Sequence, residues 1–542
     1  GETRMRETEL CMYVHGKIFT SDDDLPYADT MIVEDGVIQW IGQKEQAPSE
    51  NCKEVDLHGA CVIPGFIDAH MHPLMLADYS RQISALPPQV HSIEELIEKI
   101  KERSQELQDG EWIEGWGYDE GKFAERRAIN RYDLDRGCSE APVSITRTCE
   151  HVRCVNSKAL QLAGIHRDTK DPEGGEIERD ASGEPTGILK ESARNLVTPW
   201  MPKEKPEDKI KKLIDLSKLL SSQGITAICD MGNLEPGDNL PIFQEAAKKG
   251  WRQKTAVYDM WEFFMDDPEF DIPKDAMDHK KQIFFAGLKI IGDGSVSGRT
   301  AWMERPYLGD KDECGMPVCT DAQVESAIKF CKEHQCQLSI HAMGTKAIKK
   351  AVDRACLEES WMSGDIPYVR IEHVTEPTGK SVEKAAEKGI GIVTQPIFMY
   401  AEVESYLENL GGERMKRCYP VKDMLAQGVR ICFSTDAPAT SWAVPSNPFS
   451  NLKAAVTRKA YDGTDCGEEQ AVDIETAVKL YTREAAKIAG FQRIGMLKKG
   501  YKADFAVLDR DIFKIPSKEL DQTEVIAAYI DGTCIYCRKS LE

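Results

Sequence analysis

Apolar residues recur along this chain in two different periods. Near the start they alternate with polar ones in short runs: CMYVHGKIF, then DTMIVEDGVIQWIG with Asp35-Gly36 as a hairpin turn, then ACVIPGFIDAH. This two-residue period is that of half-buried strands, and Asp-Gly between two such runs predicts a tight hairpin. The C-terminal stretch is built alike, with ADFAVLDRD and VIAAYIDGTCIYCR around a second such turn at Asp531-Gly532. Both ends therefore predict small β-structure.

Between them, short apolar runs alternate with stretches whose apolar positions recur near every 3.6 residues, the signature of βα units on a parallel sheet. The runs are CVIPGFID (61–68), GITAICDMG (224–232), TAVYDM (255–260), IFFAGLKIIG (283–292), QLSIHAMG (337–344), YVRIEHV (368–374), GIVTQP (391–396) and VRICFSTD (429–436). Helical patterns fit between them in DAQVESAIKFCKEH, TKAIKKAVDRACLEE, SVEKAAEKG and MKRCYPVKDMLAQG. Eight strand-helix units predict an α/β chain built on a (β/α)8 TIM barrel. The expected organisation is a small β-sandwich domain from both termini, 1–60 with 491–542, and a barrel domain over 61–490. A large insertion follows the first barrel strand: between Asp68 and Gly224 lie a helix, SIEELIEKIKERSQEL, a strand-like run, PVSITRT, and a Trp/Gly-rich patch, EWIEGWGYDEG. Residues 77–215 are expected to form a cap or lid.

Composition narrows the partners. Lys and Arg number 69 against 91 Asp and Glu, a net charge of −22 over 542 residues. That sign repels phosphate backbones and anionic lipid, so neither nucleic acid nor a membrane is expected as a partner. The 17 cysteines follow no disulfide-scaffold spacing, and the first residues lack the apolar run of a signal peptide, so a cytoplasmic protein is expected.

The chemistry begins at Asp68-Ala-His70-Met-His72. Residues two apart on a strand face the same way, so the two imidazoles converge as half of a metal shell. A lone His-x-His is as often an ordinary polar pair. Here, however, His341, His373 and Asp436 fall at the ends of three further barrel runs, where sites of this fold gather. Lys289 sits at the same depth in the fourth run. A bare ammonium beside a dication is repelled, which leaves two readings: a neutral or outward-facing lysine, or one carboxylated by CO2 into an anion that bridges two metals. Asp293, just beyond, reads as a supporting or helix-capping carboxylate.

The motifs VIPGFIDAHMH, EHVRCVNSKAL, PTGILKESA, LKIIGDGSVSGRTAWM, SIHAMGTKAI, RIEHV, FSTDAP and GMLKKGYKADFAVLD resemble, as a set, the amidohydrolase superfamily. Within it the chain is similar to amidohydrolase family 3, the branch of YtcJ-like hydrolases and N-substituted formamide deformylases. The resemblance implies a metal-dependent hydrolase that cleaves a C–N bond of a small molecule, in an amide, N-formyl or cyclic amide group, by means of a metal-activated water. It implies one or two divalent ions, zinc first, with iron, manganese or cobalt also compatible. His70 and His72 would hold one ion with Asp436, His341 and His373 a second, and a carboxylated Lys289 would bridge. Asp436 would also be the general base, carrying a proton from the attacking water to the leaving nitrogen. His341 is followed by Ala342, Met343 and Gly344, so the nearby glutamate of the deaminating branches is missing. An ester or lactone hydrolase and an inactive small-molecule-binding homologue stay open beside this reading.

Secondary candidates are weaker. His151 and Asn156 lie in a motif of the insertion and could contact substrate or be structural; Glu191 could be a lid contact or a helix surface charge, and Lys190 competes as the bridging lysine with Lys289, which is preferred because it alone sits on a barrel strand. Arg299 could clamp a substrate carboxylate or pair with an acid. Trp112, Trp116 and Tyr118 could wall an aromatic pocket or pack a core. Cys534-x-x-Cys537 is set aside, because thiols three apart on a regular strand face opposite sides. A homodimer is expected by analogy with other barrels.

Overall fold

The computed structural model describes residues 10–49, 51–233, 235–538 and 541. They form two compact units, one of residues 1–73, 213–437 and 446–542, the other of 74–212 with 438–445.

The first unit holds the barrel. Its strands are β1 (Phe66–Met71), β2 (Ile225–Asp230), β3 (Lys254–Met260), β4 (Ile283–Ile291), β5 (Gln337–Ala342), β6 (Val369–His373), β7 (Gly391–Thr394) and β8 (Arg430–Phe433). Each pairs in parallel with the next, in chain order. The ring closes at its C-terminal rim, where the Asp436 amide donates to the His70 carbonyl and the His72 amide to the Ala437 carbonyl, both at 2.8 Å. Ile67, Ala227, Cys229, Ala256, Tyr258 and Cys432 fill one core with α4 (Arg483–Ala489) packed against it. Strands buried on both faces read as near-continuous apolar runs, which is why the eight runs were legible.

Between β4 and β6 lie α1 (Asp321–His334) and α2 (Thr345–Ala355), and α3 (Gly379–Lys388) follows β6. Thr320 and Gln323 form a reciprocal capping box at the start of α1. Ahead of α2 stands Gly344, where a Cβ would lie 2.1 Å from the Trp302 carbonyl oxygen.

Two predicted elements divide. The run 61–68 is two strands: Cys61–Pro64 joins the terminal sheet, pairing with Lys17–Phe19 and Phe505–Leu508, and only after Gly65 does the chain enter β1. A Cβ on Gly65 would come within 2.1 Å of the Thr226 hydroxyl, so the crossing point admits only glycine. The helix expected over MKRCYPVKDMLAQG is broken into Gly412–Lys416 and Val421–Ala426, because Pro420 has no amide hydrogen to continue it.

The terminal β-structure comprises two sheets. One is four-stranded, ordered Val37–Gly42, Thr30–Glu34, Leu10–Val14, Lys53–Asp56. The other is six-stranded, ordered Thr533–Cys537, Val525–Ile530, Phe505–Leu508, Cys61–Pro64, Lys17–Phe19, Tyr27–Ala28. Tyr13, Met31 and Val33 of the first share a core with Val62, Phe505 and Val507 of the second. Both Asp-Gly turns adopt positive φ at both residues, as a two-residue hairpin requires. In Thr533–Cys537 a register shift sets Cys534 opposite Tyr529 and Cys537 opposite Ala527. Those partners are two apart, so the bulge puts both thiols on one face, unlike the regular strand assumed from sequence.

The second unit carries a six-stranded sheet ordered Gly175–Arg179, Pro185–Glu191, Val152–Val155, Val143–Arg147, Ile113–Tyr118, Ile83–Ser84. The helix Ile93–Ser104, capped by Ser92, packs Ile97 and Ile100 into the same core as Ile113 and Val143. Among the described residues no helix is long and apolar enough to cross a membrane.

Candidate metal centre

His70, His72, Lys289, His341, His373 and Asp436 all lie at or just beyond the C-terminal ends of β1, β4, β5, β6 and β8. His70, His373 and Asp436 offer ligand atoms within 4.8 Å of one another. His70 and His373 lie with ring centroids 5.1 Å apart, His341 and His373 4.5 Å, and His70 and His72 5.5 Å. Asp436 Oδ1 stands 3.1 Å from the Nε2 atoms of both His70 and His72.

Each imidazole has one nitrogen tied to a hydrogen-bond acceptor, and that fixes which nitrogen keeps a lone pair. His70 Nδ1 meets Glu372 Oε1 at 2.8 Å, and His72 Nδ1 meets the Gly232 carbonyl at 2.9 Å. His373 Nδ1 meets Gln395 Oε1 at 2.6 Å, and the Gln395 amide is held oxygen-first because its Nε2 donates to Ser434 Oγ at 2.8 Å. His341 is turned the other way, with Nε2 at 2.7 Å from the Gly294 carbonyl. The lone pairs left over are Nε2 of His70, His72 and His373 and Nδ1 of His341.

Asp436 Oδ1 is buried with no hydrogen-bond partner, yet it faces two of those lone pairs at 3.1 Å. Three acceptors that close repel one another unless a cation or proton lies among them. A donor set of imidazoles and carboxylate suits a divalent metal, so the residues fit the ion that the sequence implies. Burial holds His373, together with the His341 ring beside it, and His70, together with the Lys289 ammonium, below the ordinary imidazole pKa. Neutral imidazoles are what a metal requires.

Lys289 is buried, with Nζ 3.4 Å from His70 Nε2. Burial lowers its pKa, against the opposing pull of Asp436 and Glu372. That favours the free amine which reaction with CO2 needs. Asp293, also fully buried, accepts the amides of Met343 and Gly344 and that of Trp302, and stands 3.3 Å from His341 Nε2. It ties the segments after β4 and β5 together beneath that ring.

The backbone is strained at and beside two of the candidate ligands. His373 has φ 78°, Val374 52° and Asp436 59°, in the left-handed region that non-glycine residues avoid. Each such residue costs of order 1–3 kcal/mol and persists only where its surroundings impose it. The imposing bonds are Val374 N to the Ala342 carbonyl and Asp436 N to the His70 carbonyl.

Three supporting groups escaped the sequence reading. Asp68 accepts the amides of His70 and Thr435 and the Thr435 hydroxyl, and so ties β1 to the segment bearing Asp436. Burial pushes its pKa up to about 7 against those hydrogen bonds. Gln395 orients His373. Glu372 orients His70 and is itself gripped by Arg370. The one visible signal was two charges, Arg370 and Glu372, inside an otherwise apolar strand.

The remaining candidates are engaged within their own units. Arg299 bonds Glu313, Asn409 and the Leu308 carbonyl. Asn156 is fully buried, where its oxygen caps the helix Ser157–Leu162 and its amide donates to the carbonyls of Cys138 and Ala141. His151 pairs with Glu191 at 3.1 Å, and Lys190 with Glu176 at 3.0 Å. Trp116 stacks on Tyr79, Tyr118 lies in the unit's core, and Trp112 donates to the Trp200 carbonyl.

Residues 53–536 match the amidohydrolase family. The chain is 30% identical to the protein YtcJ of Bacillus subtilis, over 96% of this chain and 98% of that one. It is 27% identical to the N-substituted formamide deformylase of Arthrobacter pascens, over 99% of each. The crystal structure of an uncharacterized metal-dependent hydrolase from Pyrococcus horikoshii superposes with a TM-score of 0.71 at 25% identity, over 94% of this chain and 99% of that one.

Proposed function

The chain belongs to the amidohydrolase family, and from that premise we propose that it is a metal-dependent hydrolase of a small-molecule C–N bond, in an amide, N-formyl or cyclic amide group. The observation that carries this reading is the convergence of imidazole lone pairs on the unpartnered Asp436 oxygen. His70, His72 and Asp436 would hold one divalent ion, zinc first with iron, manganese or cobalt compatible with the same donors, and His341 and His373 a second, with carboxylated Lys289 between them. When bound, such an ion polarises a substrate carbonyl and brings the pKa of a water towards about 7.

The protein's own groups supply the rest. Asp436 is the carboxylate placed to take the proton of the attacking water and pass it to the leaving nitrogen, which a C–N bond needs because an amide anion leaves poorly. Its side chain keeps 11% exposure, and those of His72 and His341 16% and 15%, whereas that of His70 is fully covered. Substrate therefore reaches the centre on the side of those three residues.

The test is elemental analysis of protein purified without chelator or histidine tag, followed by assay on N-substituted formamides, anilides and lactones side by side. About two ions per chain and turnover of the nitrogen compounds are expected. About one ion would retain the hydrolase and remove the bridging role of Lys289. No ion, even after reloading, would overturn the metal reading, and turnover confined to lactones would overturn the C–N assignment.

A further inference from the structure

Of the four candidate ligand histidines, His70 alone has an ionisable side chain, a carboxylate, on its Nδ1. His72 leans on a backbone carbonyl and His373 on an amide, while His341 meets Asp293 through Nε2, at 3.3 Å. The carboxylate on His70 is Glu372, fully buried, with Oε1 at 2.8 Å from the ring. Three further donors hold it: Ser339 Oγ at 3.0 Å on Oε2, Arg370 Nε at 2.8 Å on Oε2 and Arg370 Nη2 at 2.6 Å on Oε1. Arg370 is fully buried too, stacked over the Tyr258 ring and hydrogen-bonded to its hydroxyl. Its Nη2 also donates to the carbonyl of Ala69, the residue before His70. One guanidinium from β6 therefore reaches across the barrel interior to both the backbone of β1 and the carboxylate that seats the β1 ligand.

We propose that Arg370 and Glu372 are a positioning pair for His70, holding its Nδ1–H tautomer and ring orientation so that Nε2 faces the metal centre. The inference rests on the metal reading above, and adds to it the origin of the geometry of His70. A two-pronged guanidinium grip keeps Glu372 an acceptor only, so the ring proton is confined to Nδ1. It also fixes the plane of the carboxylate, through Nε on Oε2 and Nη2 on Oε1. Burial of both charges is costly unless they are paired, and a purely structural role needs no more than an apolar filling of the same volume. That difference makes the proposal testable.

The experiment compares the wild type with Glu372→Met, Arg370→Met, the double variant Arg370→Met with Glu372→Met, and Arg370→Lys. Three readouts are used: thermal midpoint of the metal-free protein, zinc affinity by competition with a chelating dye, and histidine-selective nitrogen-15 NMR of the metal-free protein. Each single methionine variant leaves a buried charge unpaired and is expected to melt well below the wild type. The double variant, with no charge left to pair, is expected to recover the midpoint, yet to bind zinc about 10–100-fold more weakly. In its spectrum His70 should lose the fixed Nδ1–H signature expected of the wild type. Arg370→Lys keeps the charge without the fork and should fall between, a probe that stands even if the double variant does not fold. Wild-type zinc affinity in the double variant, or in Arg370→Lys with His70 still a single Nδ1–H tautomer, would overturn the proposal. A wild type that binds no zinc would instead overturn the metal reading, and the tautomer signature separates that failure from this one.

Discussion

Replacing Asp293 by alanine measures what holds His341 in place. Its two oxygens accept three backbone amides, from Met343 at 3.0 Å, Gly344 at 2.8 Å and Trp302 at 2.9 Å. The first two bonds are fully buried and the third partly so. A buried donor left without an acceptor costs about 1–3 kcal/mol, and bonds to an ionised acceptor are the stronger kind. A water drawn into the vacated space can satisfy one amide, so Asp293→Ala is expected to cost about 3–5 kcal/mol in all. For a unit of this size, with an unfolding entropy of about 2 cal/mol/K per residue, the midpoint falls by about 4–6 °C. The assay is scanning calorimetry of chelator-treated protein, so that lost metal affinity does not enter. Asp293→Asn retains one carbonyl oxygen and should fall between the wild type and the alanine variant. An alanine variant within about 1 °C of the wild type, or an asparagine variant less stable than alanine, would refute the assignment of these three bonds as the source of order.

Four further outcomes follow from the geometry. Asp436→Asn should lower kcat by at least about 100-fold while the metal-free protein keeps its circular dichroism spectrum, and retained turnover would remove Asp436 as the base. Lys289→Ala should lose bound metal and regain part of its activity when acetate or propionate is added, whereas full activity without either would exclude a bridging lysine. Asp259, buried and crowded by Asp238 and Asp230, has its pKa pushed up to about 9, so the folded protein holds a proton there that the unfolded chain has released by about pH 4. Its contribution to stability therefore declines as pH rises from about 4 to 9, and Asp259→Asn, which mimics the protonated acid, should flatten the midpoint-against-pH curve and raise it most near pH 8. An unchanged slope would mean that Asp259 titrates normally. In Gly344→Ala the added Cβ meets the Trp302 backbone, which cannot retreat as a side chain can, so a lower melting midpoint and weaker zinc binding in the chelator assay are expected.

Val374 is β-branched and sits at φ 52°, a conformation it would abandon in a free peptide. Its amide reaches the Ala342 carbonyl at the end of β5, so the distortion couples the segments bearing His341 and His373. Two candidate ligands on neighbouring strands are thus set by one backbone feature. The same holds for His70 and Asp436, joined by a single 2.8 Å hydrogen bond.

The barrel, and the strand ends on which the candidate residues fall, were legible because they depend on short-range signals. A strand buried on both faces must be apolar for several residues in a row, a helix must repeat near 3.6, and a tight hairpin takes Asp-Gly; none of these needs a distant partner to be recognised. His-x-His at a strand end and Asp436 at another are read by the same counting, since the fold assigns function to those ends. What depended on tertiary structure involves two segments far apart in the chain. Cys61–Pro64 and β1 form one apolar run in sequence, and only their pairing in different sheets on either side of Gly65 divides them. The Cys534 and Cys537 thiols share a face because of a bulge that no local pattern encodes. Asn156 reads like a loop polar residue until the carbonyls of Cys138 and Ala141 close around it. Arg370 and Glu372 stand out in sequence only as two charges in an apolar strand; once the sheet curls into a ring and removes the water, they are satisfied by each other, by Ser339 and His70, and by the Tyr258 hydroxyl and the Ala69 carbonyl. Periodicity determines which residues are buried; closure of the ring determines which buried charges meet, because only then does the low-dielectric interior make an unpaired charge too costly to keep.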